Sequence, residues 1–281
     1  MGKIVNTIVK EGANLLEEAG VVNARSEAIL LLRYIKKWQQ YQLLMNLQET
    51  LSQDEIEEFL KLLQLRKTGY PLQYITKTQE FMGLEFEVNP HVLIPRYDTE
   101  VLVEAVLKKN LPSKAKVIDV GTGSGAIAIS LAKFKPEWEI YAIDISRAAL
   151  ETAKKNSSKH NVNITFIQGD LLEPIEKAGI KPDLIVSNPP YIPLQNITDL
   201  MIEVQFEPHL ALQGGSDGLD IYRRLIPQAY SCLETQGCIT LEIGYDQGTA
   251  VKELCENKGF QQLEIIKDYQ NHDRVVTGVK K

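Results

Sequence analysis

The run IVSNPPYIPL places a carboxamide, two prolines and a phenol ring, Asn188, Pro189, Pro190 and Tyr191, directly after an apolar stretch with no polar spacer. Proline cannot donate to a sheet ladder and restricts the residue before it, so the pair must end the strand in a stiff corner. The Asn188 side chain and the corner's carbonyls are then left to bond something outside the chain, with the flat Tyr191 ring beside them. Asn-Pro and Pro-Pro are also ordinary turn signals, and the four residues alone do not separate a site from a turn.

A second constellation lies upstream. In DVGTGSGAIAISLA, Gly121, Gly123 and Gly125 follow an apolar strand and precede a helical run. Such a loop lets the backbone approach a ligand closely and presents helix N-terminal amides to it. Gly121, Gly123 and Ala126 also fit the dinucleotide pattern G-x-G-x-x-G/A, so the glycines leave the cofactor open. Asp144 closes the next strand candidate, where a carboxylate can accept the two hydroxyls of an adenosine ribose. Asp170 closes the one after and is a candidate for the adenine edge. Glycines, Asp144, Asp170 and the corner all fall at the carboxyl ends of strands, where open α/β sheets bind ligands.

The elements that must position these residues are legible as two regions. Up to about residue 72, apolar residues recur at three and four, as in ARSEAILLLRYIKKW and LSQDEIEEFLKLLQLRKTG, which predicts a small helical bundle. Ser52 and Glu55 form a capping box, and Gly69 stands where that helix should stop. FMGLEFEVNPHVLIP then changes to period two around an Asn-Pro turn, predicting a two-stranded connector. Beyond Pro95, strand and helix patterns alternate. AKVIDV, EIYAIDI, NITFIQ, DLIVS, CITLEI, QQLEIIKDY and RVVTGVK are seven strand candidates, and the last two, joined only by QNHD, should pair antiparallel. The predicted division is a helical domain over residues 1–76, a β-hairpin connector over 77–95 and an α/β domain over 96–281.

Composition narrows the function classes. The 281 residues carry a formal net charge of −6, which argues against a broad basic surface for nucleic acid. No apolar run reaches transmembrane length and the N-terminal segment lacks a signal-peptide core, so a cytoplasmic protein is expected. Cys232, Cys238 and Cys255 read as reduced core thiols, and the four scattered histidines give no metal-ligand spacing; no metal is expected.

The order DVGTGSG, IDIS, GD and SNPPY, closed by a strand hairpin, resembles the seven-stranded, Rossmann-like S-adenosylmethionine-dependent methyltransferases, with the NPPY motif of those that methylate planar amide or amino nitrogens. YPLQYI, FMGLEFEV, VLIPRYDTE and FEPHLALQGGSDGLDIYRRL are similar to the protein-(glutamine-N5) methyltransferases of peptide chain release factors, the HemK/PrmC family. The resemblance implies that Gly121, Thr122, Gly123, Ser124, Gly125, Asp144, Asp170, Leu171 and Asn188 hold S-adenosylmethionine. It implies that Asn188, Pro189, Pro190 and Tyr191 hold the substrate amide, with Asn188, Pro189 and Tyr191 as the catalytic set. The implied partner is a release factor, met by a monomer without direct nucleic-acid contact and with the helical domain as recognition element. Two positions depart from the family pattern: Tyr97-Asp98 stands where Pro-Glu is usual, and Leu171 where an aromatic often follows the aspartate. NPPY is shared with adenine and guanine methyltransferases of nucleic acids, and ribosomal-protein glutamine methylation is a near relative. A nonenzymatic nucleotide-binding module is a third class, but it gives the corner no task.

Overall fold

The computed structural model describes residues 2–281, and the chain separates into two compact units. One runs through Thr78 and takes in Met201–Phe206; the other consists of Gln79–Leu200 and Glu207–Lys281.

The first unit is helical: α1 (Val5–Glu18), α2 (Ala24–Lys36), α3 (Gln40–Met45), α4 (Gln53–Lys67) and α5 (Leu72–Thr76). Ile8, Leu16, Leu31, Leu32, Phe59 and Leu63, spaced along one face of each helix, form its core. α4 starts at the capping box, where Ser52 accepts the Glu55 amide and the Glu55 carboxylate accepts that of Ser52. The buried Arg66 guanidinium bridges Glu27 of α2 at 2.6 Å and Glu203 of the distant Met201–Phe206 segment at 2.9 Å. Phe206 stacks edge-on against Tyr70, and a Cβ on Gly69 would lie 2.6 Å from Ile202, so the segment is packed into this unit without slack.

A short hairpin follows, β1 (Thr78–Phe81) and β2 (Leu84–Glu87). Its turn is Met82-Gly83, both at positive φ (51° and 71°), the backbone a two-residue hairpin turn demands. The Asn-Pro pair expected to make this turn, Asn89-Pro90, lies beyond β2. Period two alone does not say which of two candidate turns closes a hairpin, and here the glycine decided it.

The second unit continues with α6 (Glu100–Leu107), β3 (Lys116–Val120), α7 (Ala126–Phe134), β4 (Glu139–Asp144), α8 (Arg147–His160), β5 (Thr165–Gln168), α9 (Glu173–Ala178), β6 (Leu184–Ser187), α10 (Asp220–Cys232), β7 (Cys238–Glu242), α11 (Gly248–Lys258), β8 (Phe260–Lys267) and β9 (Asp273–Lys280). The strands form one sheet in the order β5-β4-β3-β6-β7-β9-β8, parallel except for β9, which runs antiparallel to both neighbours. Its central strands are apolar on both faces, as a sheet covered by helices on both sides requires. Val117 and Val186 point into the layer that holds Leu102, Val106 and Leu131, while Ile118 and Ile185 point into the layer of Tyr222, Leu225 and Val251. The chain order reverses between β3 and β6, and in register Val120 pairs with Ile143 and with Ser187. Three carboxyl ends therefore open side by side at the switch point of the sheet. Cys232, Cys238 and Cys255 are buried free thiols, and burial pushes the Cys255 thiol up to about 12, where it is inert.

Candidate active site

The glycine loop is fastened to the strand ends by main-chain and carboxylate bonds. The amides of Gly121 and Thr122 both donate to the Ile143 carbonyl, at 2.8 and 2.9 Å. Beneath them Asp119, fully buried, accepts the Thr122 hydroxyl at 2.7 Å and the Ala128 amide at 3.2 Å, tying the end of β3 to the first turn of α7. Burial pushes this carboxyl up to about 7, against the pull of those two donors, and its Oδ1 has no partner among the described residues. Gly123, at φ 55°, has no atom within 4 Å of where a Cβ would stand, so the loop's backbone is open toward the cleft.

Asp144 does more than close β4. Its Oδ2 accepts the Gly123 amide and its Oδ1 the Ser146 amide, both at 2.9 Å, so the acid braces the glycine loop. Burial raises its carboxyl, with the Ser146 and Gly123 amides opposing the rise. Asp170 pairs with Arg224 of α10 at 2.5 Å. Leu171 beside it takes a left-handed backbone, φ 51°, where the chain turns away from β5.

The Asn-Pro-Pro-Tyr corner is held from several sides. Ser187 donates its hydroxyl to the Val120 carbonyl at 2.7 Å, locking β6 to β3 where both end. The Asn188 Nδ2 donates to the Thr99 hydroxyl at 3.1 Å, which leaves Oδ1 available. Behind the corner, the Ile192 amide donates to Leu212 and the Gly214 amide to the Ile192 carbonyl, at 2.9 and 2.8 Å. A Cβ on Gly214 would lie 2.7 Å from the Tyr191 backbone, so only glycine lets the two strands of chain meet this closely. Gln247 completes the clamp, its Nε2 donating to the carbonyls of Tyr191 at 3.0 Å and Gly218 at 3.3 Å. The Tyr191 ring is half-buried and its phenol faces Glu242; burial and that carboxylate hold the phenol well above its ordinary range.

One cleft collects most of the residues singled out from the sequence. Gly121, Thr122, Gly123, Ser124, Asp144, Asp170, Leu171, Asn188 and Pro190 line it; Gly125, Pro189 and Tyr191 do not. Gly125 caps α7 behind the loop, Pro189 is buried, and Tyr191 runs back toward Glu242. The cleft also has walls with no earlier assignment: Pro95, Arg96 and Thr99 from the VLIPRYDTE segment, Pro208 and Leu210 from FEPHLAL, and Arg224. The two segments are joined by the buried Glu207, which pairs with the Arg96 guanidinium and accepts the Ile94 amide at 3.0 Å. Among the described residues, no group of His, Cys, Asp and Glu side chains could hold a metal ion.

A sheet of this order, with a glycine loop after β3, an acid after β4 and an Asn-Pro-Pro-Tyr corner after β6, defines a Rossmann-like S-adenosylmethionine-dependent methyltransferase. Its fold is similar to that of a crystallised methyltransferase from Pyrococcus furiosus, with a TM-score of 0.54 at 20% identity, covering 79% of this chain and 98% of that one. The sequence matches the Methyltransferase small domain family over residues 97–210 and the PrmC N-terminal domain family over residues 7–76. It is 46% identical over 268 residues to the release factor glutamine methyltransferase of Moorella thermoacetica, covering 94% of each chain. It is 41% identical over 282 residues to that of Bacillus subtilis, covering 98% of this chain and 97% of the relative. The chain belongs to the release factor glutamine methyltransferase family.

Proposed function

We propose that this enzyme methylates the side-chain amide nitrogen, N5, of the glutamine in the Gly-Gly-Gln loop of peptide chain release factors. The observation that carries this reading is the state of Asn188: its NH2 is taken up by Thr99 while its carbonyl oxygen is left over, at the edge of the cleft that the glycine loop opens into. A primary amide offers two N–H donors, and an Asn carbonyl oxygen accepts them.

S-adenosylmethionine supplies a methyl on a positively charged sulfur, already activated for transfer. The open backbone of Gly121 to Gly123 and the Asp144 carboxylate fit its adenosine and polar groups, since the main-chain amides that Asp144 accepts do not use up the lone pairs of its two oxygens. The amide nitrogen of glutamine is a weak nucleophile because its lone pair is delocalised, so the protein's task is to hold it in line. In this reading Asn188 Oδ1 accepts one amide hydrogen and a carbonyl of the Pro189 region the other; both acceptors gain strength as positive charge develops on nitrogen, and one of the two protons leaves to solvent after the methyl has transferred. Tyr191, outside the cleft with its ring running back toward Glu242, anchors the corner from behind. Thr122, Ser124 and Leu171 shape the cofactor side, and Asp170, already paired with Arg224, meets the adenine edge as an ion pair rather than as a free carboxylate. The helical unit is assigned to recognition of the folded release factor, and the reaction to the cytoplasm, where release factors work.

The test is to incubate the enzyme with methyl-labelled S-adenosylmethionine and purified release factor, with ribosomal RNA and ribosomal protein in parallel, and to map the label by mass spectrometry. Label on the Gly-Gly-Gln glutamine is the expected result. Label on RNA or ribosomal protein with none on release factor overturns the proposal.

A further inference from the structure

Thr99, the threonine of VLIPRYDTE, lines the cleft and accepts the Asn188 NH2. It is buried at the end of a short 3-10 turn, and its hydroxyl stands between two groups. On one side Asn188 Nδ2 donates to it at 3.1 Å; on the other stands the carboxyl group of Glu242. Glu242 closes β7, the neighbour of the strand that carries the corner, and is 1% exposed. Its Oε2 has no hydrogen-bond partner among the described residues, an unusual state for a carboxylate that has no place in the packing of the core. The groups facing it are the Thr99 hydroxyl and Asp98 from the turn, the Tyr191 phenol from the corner, Arg274 from β9, and Tyr222 from α10. The Tyr222 hydroxyl is spent on the main-chain carbonyl of Glu242 at 2.7 Å, and Arg274 is shared with Asp268 at 3.1 Å and Asp98 at 3.4 Å.

We infer that Glu242 and Thr99 form a polarity relay that fixes which end of the Asn188 carboxamide meets the substrate, so that both are positioning residues for methyl transfer. The inference rests on the reading of Asn188 as the acceptor of the substrate amide. An ionised carboxylate can only accept hydrogen bonds, so the single hydroxyl proton of Thr99 points at Glu242. Thr99 then has only lone pairs to offer Asn188, which must turn its NH2 toward Thr99 and its oxygen toward the cleft. The substrate amide, arriving with two hydrogens, meets an acceptor. A protonated Glu242 breaks this logic: its own O–H can donate to Thr99, whose proton is then free for Asn188 Oδ1. The carboxamide can flip, and NH2 would face NH2. Burial pushes the Glu242 carboxyl up to about 7, with Thr99 and Arg274 opposing the rise, which brings the change within reach of ordinary assay conditions. The active orientation belongs to the ionised form, so turnover rises with pH through that region.

The experiment measures turnover against pH at saturating cofactor and release factor for the native enzyme and for Glu242→Gln, Thr99→Val, Thr99→Ser and Asn188→Ala, with cofactor affinity measured beside each. The native enzyme is expected to lose turnover below about pH 7. Glu242→Gln, nearly the same shape without a titrating proton, should lose that acid limb and run below the native rate at pH 8. Thr99→Val should lower turnover by about tenfold to a hundredfold, the range for a misplaced reacting group, at unchanged cofactor affinity. Thr99→Ser, which keeps the hydroxyl, should restore most of that loss. A native acid limb retained in Glu242→Gln, or native turnover in Thr99→Val alongside an inactive Asn188→Ala, overturns the relay alone. Native turnover in Asn188→Ala overturns the reading of the corner on which it rests.

Discussion

Asp144 shows how one side chain can serve scaffold and ligand together. Its two oxygens hold the Gly123 and Ser146 amides, so removing the carboxylate withdraws a ligand contact and also releases the loop that forms the rest of the cradle. Asp144→Ala should therefore weaken S-adenosylmethionine binding by about 1–3 kcal/mol, the loss for hydrogen bonds to a charged partner, and titration calorimetry reads it directly. Unchanged affinity would remove Asp144 from the site. Asp119, one strand over, makes a different prediction. Its folded-state carboxyl is raised to about 7 by burial, so the neutral form is the one the fold favours. Its contribution to stability is complete below the ordinary carboxylate range and is lost as pH rises toward 7. Between about pH 4 and 7 the native enzyme should lose thermal stability relative to Asp119→Asn, whose side chain does not titrate. Parallel melting curves for the two proteins across that window would refute it. The residues legible in the sequence are those whose partners follow in order along strand ends: the glycines, Asp144 and the corner. Thr99, Glu242 and Arg224 were not, because their partners Asn188 and Asp170 lie far from them in the chain and only the closed sheet brings them together.

At the scale of elements, the corner after β6 works because other pieces of chain press on its back. Gly214 and Gly218 approach the Tyr191 backbone, and Gln247, after β7, bonds the Tyr191 and Gly218 carbonyls while its own Oε1 accepts the Gly244 amide at 3.0 Å. Gln247 does not line the cleft, so it contributes stiffness and no ligand contact. Gln247→Ala should lower turnover by about tenfold, since a displacement well short of a bond length misaligns the amide, while cofactor affinity holds. Equal losses in turnover and cofactor affinity would mean that the clamp supports the whole cleft rather than the corner. All seven strands of the sheet and the antiparallel closing pair could be read in advance, since buried β-branched runs alternating with helical runs leave few other arrangements. The turn of the small hairpin could not, because Met82-Gly83 and Asn89-Pro90 are both plausible reversals. The GGSDGL segment was visible as a motif, but its task of backing the corner depends on a contact across the fold.

At the scale of the whole molecule, the chain enters the helical unit twice, at its start and again through Met201–Phe206, only ten residues beyond Tyr191. No local pattern in that segment announces this, because its anchors, Arg66, Gly69 and Tyr70, lie far upstream. The double entry decides how the recognition role of the helical unit has to be tested. Deleting the N-terminal helices would strip the cover from Ile202 and Phe206 and leave Glu203 without Arg66, so lost activity could reflect a damaged segment of the chain that follows the corner in sequence. Substitutions on the outside of the unit avoid this. The short helix α3 exposes Tyr41, Leu44 and Met45 to solvent at 61%, 63% and 79%, a run of large apolar side chains that covers nothing within its own unit. Replacing all three by Ser removes apolar contact area at little cost to the core, which α3 supports through Leu43. If the helical unit grips the folded release factor through this face, the triple variant should raise KM for intact release factor about tenfold or more while leaving S-adenosylmethionine affinity and the rate at saturating substrate unchanged, the pattern for lost ground-state binding. An unchanged KM would exclude this face of α3 from recognition, and a lower saturating rate at unchanged KM would tie the helix to the chemistry instead.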